Sequence, residues 1–325
     1  MHYGIVDIGS NNVRLVIFNK KRHKVTAIFN ETRAVGLIDA LKEGKLSAQG
    51  RENLLEILDQ YYNLAKVFKV KELGIFGTAP LRAAQNCDQL VKEVYENLGL
   101  SIDVLGSERE AYYAYLGVKK AGLIDGNLLT SAFLPGKNAC IVDVGGGSSQ
   151  IVKISKGKYA KSLILPLGSL SMRSKFIDSL LPRKENLQDL DAYVQEQLEK
   201  EFPAVFDPYK IFVGVGGTAR ILSRLDRHNK QKKAPTHGYE MSFGDLEKIY
   251  QATLADPEKV NNTISKICLT RVLTAVPGII LFYQIAKKLE IDNIVISRFG
   301  VREGYLYQHL LTEEEQEKCL FTVQK

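Results

Sequence analysis

Apolar residues come in two rhythms along this chain. Short runs at Tyr3–Val6, Val13–Phe18, Val25–Asn30, Leu73–Phe76 and Ile102–Leu105 predict strands. Between them, Leu54, Leu55, Leu58, Leu64 and Val67 fall at helical spacing, so a helix is expected from its N-cap Ser47 to about Phe68. Helices are also expected over Gln89–Leu98 and over Glu108–Ala121, the latter with a face of Tyr112, Tyr113 and Tyr115. The segment Gly122–Asn138 loses both rhythms and is rich in Gly, Asp, Ser and Pro, which marks a domain boundary. Beyond it come a polar helix over Leu187–Lys200, a strand over Ile211–Val215, a basic loop over Arg224–Lys233, a strand over Ile294–Ser297 and a terminal helix after Arg302. The apolar run Val272–Ala286, interrupted by Pro277-Gly278, is too short to span a bilayer and predicts a buried helix. Strands alternating with helices predict an α/β protein with mixed or parallel sheets.

Two segments share one design. Ile5-Val6-Asp7-Ile8-Gly9-Ser10-Asn11-Asn12 and Ile141-Val142-Asp143-Val144-Gly145-Gly146-Gly147-Ser148 match at Ile, Val, Asp and Gly when aligned on the Asp. Each is followed by a second apolar run, Val13–Phe18 and Ile151–Ile154. The pattern predicts a duplicated β-hairpin whose turn carries a carboxylate. Glycine lets a turn approach a ligand closely, and successive N–H groups of such a turn can cradle phosphate oxygens. An aspartate beside it is a hard oxygen ligand suited to Mg²⁺.

The 325 residues suffice for two domains, each with its own core. A net charge of +7 favours polyanionic partners without saying which. The four cysteines, Cys87, Cys140, Cys268 and Cys319, form no C-x-x-C pair, which argues against a zinc site or disulfide framework and suits a reducing cytosol. The N-terminus enters a strand directly, with no cleavable apolar stretch, so no secretory leader is expected.

Other loops offer further chemistry. Gly214-Val215-Gly216-Gly217-Thr218-Ala219 formally matches a dinucleotide fingerprint, but no second strand ending in an acid follows it. A helix starting near Ala219 behind Gly-Gly-Thr is still a generic anion site. No G-x-x-x-x-G-K-[ST] occurs, which excludes a P-loop enzyme at the motif level. Gly77-Thr78-Ala79-Pro80-Leu81-Arg82 ends another strand, and Arg82 reads equally as a phosphate clamp or as a surface residue on a helix start. The same two readings apply to Arg33. Glu108 and Glu110 either face a cleft or favour a helix N-terminus electrostatically. His237 reads as a loop residue, and the five histidines form no metal-ligand spacing.

With these motifs in order, the sequence resembles the exopolyphosphatase / guanosine pentaphosphate phosphatase (Ppx/GppA) family, within the actin, sugar kinase and heat-shock chaperone ATPase superfamily. The resemblance is carried by Val6–Asn11, Gly77–Arg82, Gly106–Ala111, Val142–Ser148, Gly216–Thr218 and Ser297–Gly304, and covers nearly the whole chain. It implies two ribonuclease-H-like, actin-like domains with mixed sheets flanking a central cleft: residues 1–122 plus 300–325, and residues 123–299. Longer members carry an additional helical domain, for which this chain stops too early. The implied reaction is hydrolysis of the terminal phosphoanhydride of inorganic polyphosphate. Hydrolysis of guanosine pentaphosphate, or a slow or non-catalytic sensor of polyphosphate or a guanosine alarmone, are the alternatives. An ATP-driven kinase or chaperone would need an adenosine pocket that nothing from Gly216 to Arg224 compels.

The resemblance implies Glu110 as general base. It implies Asp7 and Asp143 as holders of Mg²⁺, with Mn²⁺ a substitute. Ser10, Asn11, Arg33, Arg82, Gly145, Gly146, Gly147, Ser148, Gly216, Gly217 and Thr218 would bind phosphate. No membrane or specific nucleic acid is implied; a homodimer and a cytoplasmic location are. Three residues depart from the family pattern. Arg109 replaces the first Glu of Glu-Glu-Ala, Gln150 replaces the Glu that ends Gly-Gly-Gly-Ser-Thr-Glu, and Arg271-Val272-Leu273 lacks the Asp of Arg-Ala-Asp.

Overall fold

A computed structural model describes residues 1–121, 127–179, 181–202, 209 and 211–323. Part of the expected boundary segment, residues 122–126, lies outside them. The chain divides into two compact units, Met1–Gly122 with Phe299–Lys325, and Leu123–Arg298.

In unit 1, β1 (His2–Ile8), β2 (Asn12–Lys21) and β3 (Lys24–Ala34) form an antiparallel meander. A short helix α1 (Leu37–Ala40) and a ribbon of β4 (Leu41–Lys42) and β5 (Lys45–Leu46) lead to α2 (Ala48–Val67). Ser47 caps α2, its hydroxyl accepting from the Gly50 N–H at 3.1 Å. β6 (Val70–Gly77) then pairs parallel with β1, and β7 (Asp103–Val104) parallel with β6. Helices α3 (Ala79–Ala83) and α4 (Cys87–Leu98) connect these two strands, and α5 (Ser107–Lys119) follows β7.

Unit 2 opens with α6 (Leu128–Ser131) and then repeats the meander as β8 (Ala139–Val144), β9 (Ser149–Ser155) and β10 (Lys158–Leu165). Helices α7 (Ser169–Phe176) and α8 (Lys184–Glu201) precede β11 (Ile211–Val215), which lies parallel to β8. After α9 (Gly216–Asn229) come β12 (Tyr239–Ser242), α10 (Phe243–Ala255), α11 (Pro257–Cys268), α12 (Val272–Lys288) and β13 (Asn293–Ile296). The chain returns to unit 1 with α13 (Val301–His309), α14 (Glu313–Lys318) and β14 (Leu320–Thr322), the last pairing parallel with β3.

Unit 1 orders its sheet β14-β3-β2-β1-β6-β7, and unit 2 orders its own β10-β9-β8-β11-β13-β12. Five strands correspond: meander, then two parallel strands. This is the ribonuclease-H-like order, and the mixed α/β class expected from the sequence holds. The sixth strand differs, β14 extending the meander edge of one sheet and β12 the opposite edge of the other.

Three sequence expectations are corrected. The basic stretch from Arg224 to Asn229 is not loop but the second half of α9. Buried Ile221, Leu222 and Leu225 give that helix an apolar face, which the run of cations masked. The helix also starts at Gly216 rather than near Ala219. Strands β10, β12 and β14 were not anticipated, because their exposed or short sequences lack the apolar run that marks a central strand.

The run Pro257–Lys288 is long and apolar enough to cross a membrane by length and composition. In the fold, Thr274–Ala286 of α12 are all buried in the core of unit 2. Pro277 sits in the second turn of α12, where little helix precedes it to be disrupted.

Two glycines allow α13 to press against α5 in unit 1. A β-carbon on Gly117 would lie 2.0 Å from the Gly300 carbonyl oxygen, and one on Gly304 1.8 Å from that of Tyr113. The two backbones are therefore in contact, and the helices carrying Glu110 and Arg302 are fixed relative to each other.

Candidate active site

In unit 1 the C-terminal end of β1 delivers Asp7 beside the turn to β2. The turn closes with the Gly9 N–H donating to the Asn12 carbonyl at 3.0 Å. Its outer carbonyls are already engaged. Ser10 O accepts from Ile38 N–H at 2.9 Å, and Asn11 O accepts from Val35 and Gly36 N–H at 2.8 and 3.0 Å. With the carbonyls turned that way, the N–H groups of Ser10 and Asn11 are what the turn can offer a ligand. Thr78, just past β6, secures the strand end by donating its N–H and hydroxyl to Ile8 O at 3.1 and 3.3 Å.

Two ion pairs stand at this end of the sheet. Arg302 Nη1 donates to Asp7 Oδ2 at 2.9 Å, and Arg82 Nη1 donates to Glu110 Oε2 at 2.7 Å. Arg82 Nη1 also reaches Leu105 O at 2.7 Å, tying its short helix α3 to the connection into α5. All four side chains are between 14% and 22% exposed, so the pairs are neither solvated surface contacts nor dry. Arg82 is not a solvated surface residue: its guanidinium is paired with Glu110. Arg33 is placed elsewhere. It lies exposed on β3, its guanidinium bonded to Glu31 and Gln60.

Unit 2 repeats the turn with more glycine and fewer charges. Gly145 N–H donates to Ser148 O at 3.0 Å, the equivalent of the Gly9–Asn12 bond. The start of α7 holds the turn from outside. Ser169 and Leu170 N–H donate to Gly145 O and Gly146 O, both at 2.8 Å, and the Ser169 hydroxyl donates to Gly145 O at 3.0 Å. Among the described residues, the N–H groups of Gly146, Gly147 and Ser148 donate to no protein acceptor.

Asp143, the last residue but one of β8, lies against the start of α9. Gly216 has φ of +78°, and a β-carbon there would meet Asp143 Oδ1 at 2.1 Å. Only glycine satisfies both demands. The Arg271 guanidinium packs over Gly217 in the same way, 2.3 Å from where a β-carbon would be. Thr218 is buried, its hydroxyl donating to Val144 O at 3.1 Å, so it braces the loop against β8. Gln150 pairs in register with Asp143, which places both side chains on one face of the hairpin. It is 4% exposed, and its Oε1 has no hydrogen-bond partner among the described residues.

The structure thus groups Asp7, Ser10, Asn11, Arg82 and Glu110 in unit 1, and Asp143, Gly145–Ser148 and Gly216–Thr218 in unit 2. It adds Thr78, Arg302, Gln150, Ser169 and Arg271 to the residues expected at these ends of the sheets. Asp7 and Arg302 are 295 positions apart, and no local pattern joins them.

A family model for the Ppx/GppA phosphatase family matches residues 16–313. The chain belongs to the Ppx/GppA family. It is 26% identical over 313 residues to the guanosine-5'-triphosphate,3'-diphosphate pyrophosphatase of Vibrio campbellii, a match covering 94% of this chain and 59% of that protein. The chain therefore spans about three-fifths of that relative's length. Among solved structures, the Aquifex aeolicus PPX-GPPA enzyme superposes with a TM-score of 0.73 at 29% identity, covering 94% of this chain and 98% of that one. An exopolyphosphatase from Cytophaga hutchinsonii superposes with a TM-score of 0.77 at 19% identity, covering 95% and 98%, and shares the fold.

Proposed function

We propose that the chain hydrolyses the terminal phosphoanhydride of inorganic polyphosphate and releases orthophosphate. The observation that carries this reading is the Glu110–Arg82 pair at 2.7 Å beside the Asp7–Arg302 pair. Glu110 is the general base, accepting a proton from the attacking water as the phosphorus–oxygen bond to the terminal phosphate breaks. Arg82 fixes the direction of the Glu110 carboxylate. The Ser10 and Asn11 amides in unit 1 and the Gly146, Gly147 and Ser148 amides in unit 2 bind phosphate oxygens, and within unit 2 the helix start at Gly216–Thr218 adds to the field that favours them.

The donor set suits Mg²⁺ held largely by substrate oxygens and water. Among the described residues no three His, Cys, Asp or Glu side chains converge as a metal cage. Mg²⁺ characteristically takes one or two carboxylates plus phosphates; Asp7 in unit 1 and Asp143 in unit 2 are the carboxylates that the family resemblance assigns to it. The orphaned Gln150 Oε1 beside Asp143 is a further neutral oxygen donor. When bound, the ion neutralises charge on the anhydride oxygens.

A second reading is hydrolysis of guanosine pentaphosphate, favoured by the Vibrio relative's name and the length of the match to it. The test is phosphate release from long-chain polyphosphate, guanosine pentaphosphate and ATP in parallel, with and without Mg²⁺. Faster release from polyphosphate supports the first reading, and faster release from the pentaphosphate the second. Tight binding without release overturns both and makes the protein a sensor.

A further inference from the structure

Arg109, the departure from the Glu-Glu-Ala pattern, has its own partners, distinct from the Arg82 partner of Glu110. Its guanidinium forks onto Asp103 of β7, Nη1 to Oδ1 at 3.0 Å and Nη2 to Oδ2 at 2.7 Å. Nη2 also reaches the Tyr113 hydroxyl at 3.3 Å. That hydroxyl lies 2.7 Å from Nε2 of His309 on α13. Burial lowers the His309 pKa, which favours the neutral imidazole, and either atom of the Tyr113–His309 contact can be the donor. The Tyr305 ring closes the cluster, edge-on to Tyr113 and 4.5 Å from the His309 ring. The fork thus ties the first turn of α5 to the sheet and to α13.

Glu110 follows Arg109 directly, and its N–H donates to Gly106 O at 3.0 Å. The first turn of α5 is therefore held from two sides, by Arg82 through Leu105 O and Glu110, and by Arg109 through Asp103. A bidentate guanidinium–carboxylate pair fixes orientation as well as distance. A glutamate at position 109 would face Asp103 as a like charge.

We propose that Arg109 is a positioning residue, holding the first turn of α5 so that Glu110 keeps its direction. The kinetic part rests on Glu110 being the base; the structural part does not. Arg109 is about half exposed, so the effect is modest. Arg109→Ala should lower kcat about fivefold with KM unchanged. Amide hydrogen exchange in residues 108–111 should rise in the same variant. Arg109→Lys, which keeps charge but loses the fork, should fall between. The swap Arg109→Asp with Asp103→Arg should restore both the slow exchange and kcat. A general fold defect would instead raise exchange throughout unit 1 and would not be reversed by the swap. Unchanged exchange in the first turn of α5, or a swap that restores neither readout, overturns the proposal. If Glu110→Gln leaves turnover intact, the base assignment fails, and the exchange data still decide the role of Arg109.

Discussion

The two units build the same hairpin and equip it differently. In unit 1 the strand ends carry charged pairs, Asp7 with Arg302 and Glu110 with Arg82. In unit 2 the equivalent place has three successive glycines, a helix start and a threonine hydroxyl turned into the fold, with Asp143 against Gly216 and the Arg271 guanidinium over Gly217. The outer carbonyls of both turns are engaged in the same way, by N–H groups of the segment that follows the third strand. That shared device leaves the turn amides available in each copy. What differs is the carboxylate of Glu110, for which unit 2 has no counterpart among the described residues of its loops. Under the proposed function, the Glu110 carboxylate would make unit 1 the unit that activates water, while the turns of both units would offer amides to phosphate.

Changes in each unit should therefore fail in different constants. The largest effect is expected from Glu110→Gln, which would remove the proposed base while keeping size and hydrogen-bonding reach. Turnover should fall by about 10² or more with polyphosphate affinity retained, checked by phosphate release and by titration calorimetry. Gly216→Ala should act on binding. The new methyl would meet Asp143 Oδ1 at 2.1 Å at a φ of +78°, so the loop must move. An increase in KM of about tenfold, corresponding to about 1.4 kcal/mol of lost binding, is the expected outcome.

A separate effect, on stability rather than on activity, sets unit 2 apart by pH. His237 in unit 2 is 8% exposed, and burial, aided by the nearby Arg298 charge, lowers its pKa to about 4. The folded state thus disfavours the charged imidazole. Its contribution is complete above the unfolded value near 6.5 and is lost as pH falls toward 4, to a limit of about 3 kcal/mol. Thermal melts of the wild type and His237→Gln between pH 7 and 4 should converge toward the acid end. Parallel curves would remove His237 from the acid response.

Much of this comparison was legible in the sequence. The repeated Ile-Val-Asp-x-Gly segments announced the hairpins, and apolar runs announced the central strands. The motifs around Arg82 and Glu110 were visible, but their pairing was not, because a salt bridge between a strand-end helix and a later helix leaves no spacing signal. Arg302 lay in a recognised motif yet had no assigned partner until α13 was seen packed on α5 through Gly117 and Gly304. The second half of α9 was hidden for a different reason: Arg224, Arg227, His228 and Lys230 dominate the local composition, while the apolar face that makes the helix needs only Ile221, Leu222 and Leu225.

The most direct test is a side-by-side determination of kcat and KM on polyphosphate for Glu110→Gln and Gly216→Ala. A fall in kcat alone for the first and a rise in KM as the main change for the second would establish the division between the units. Both variants failing in the same constant would contradict it.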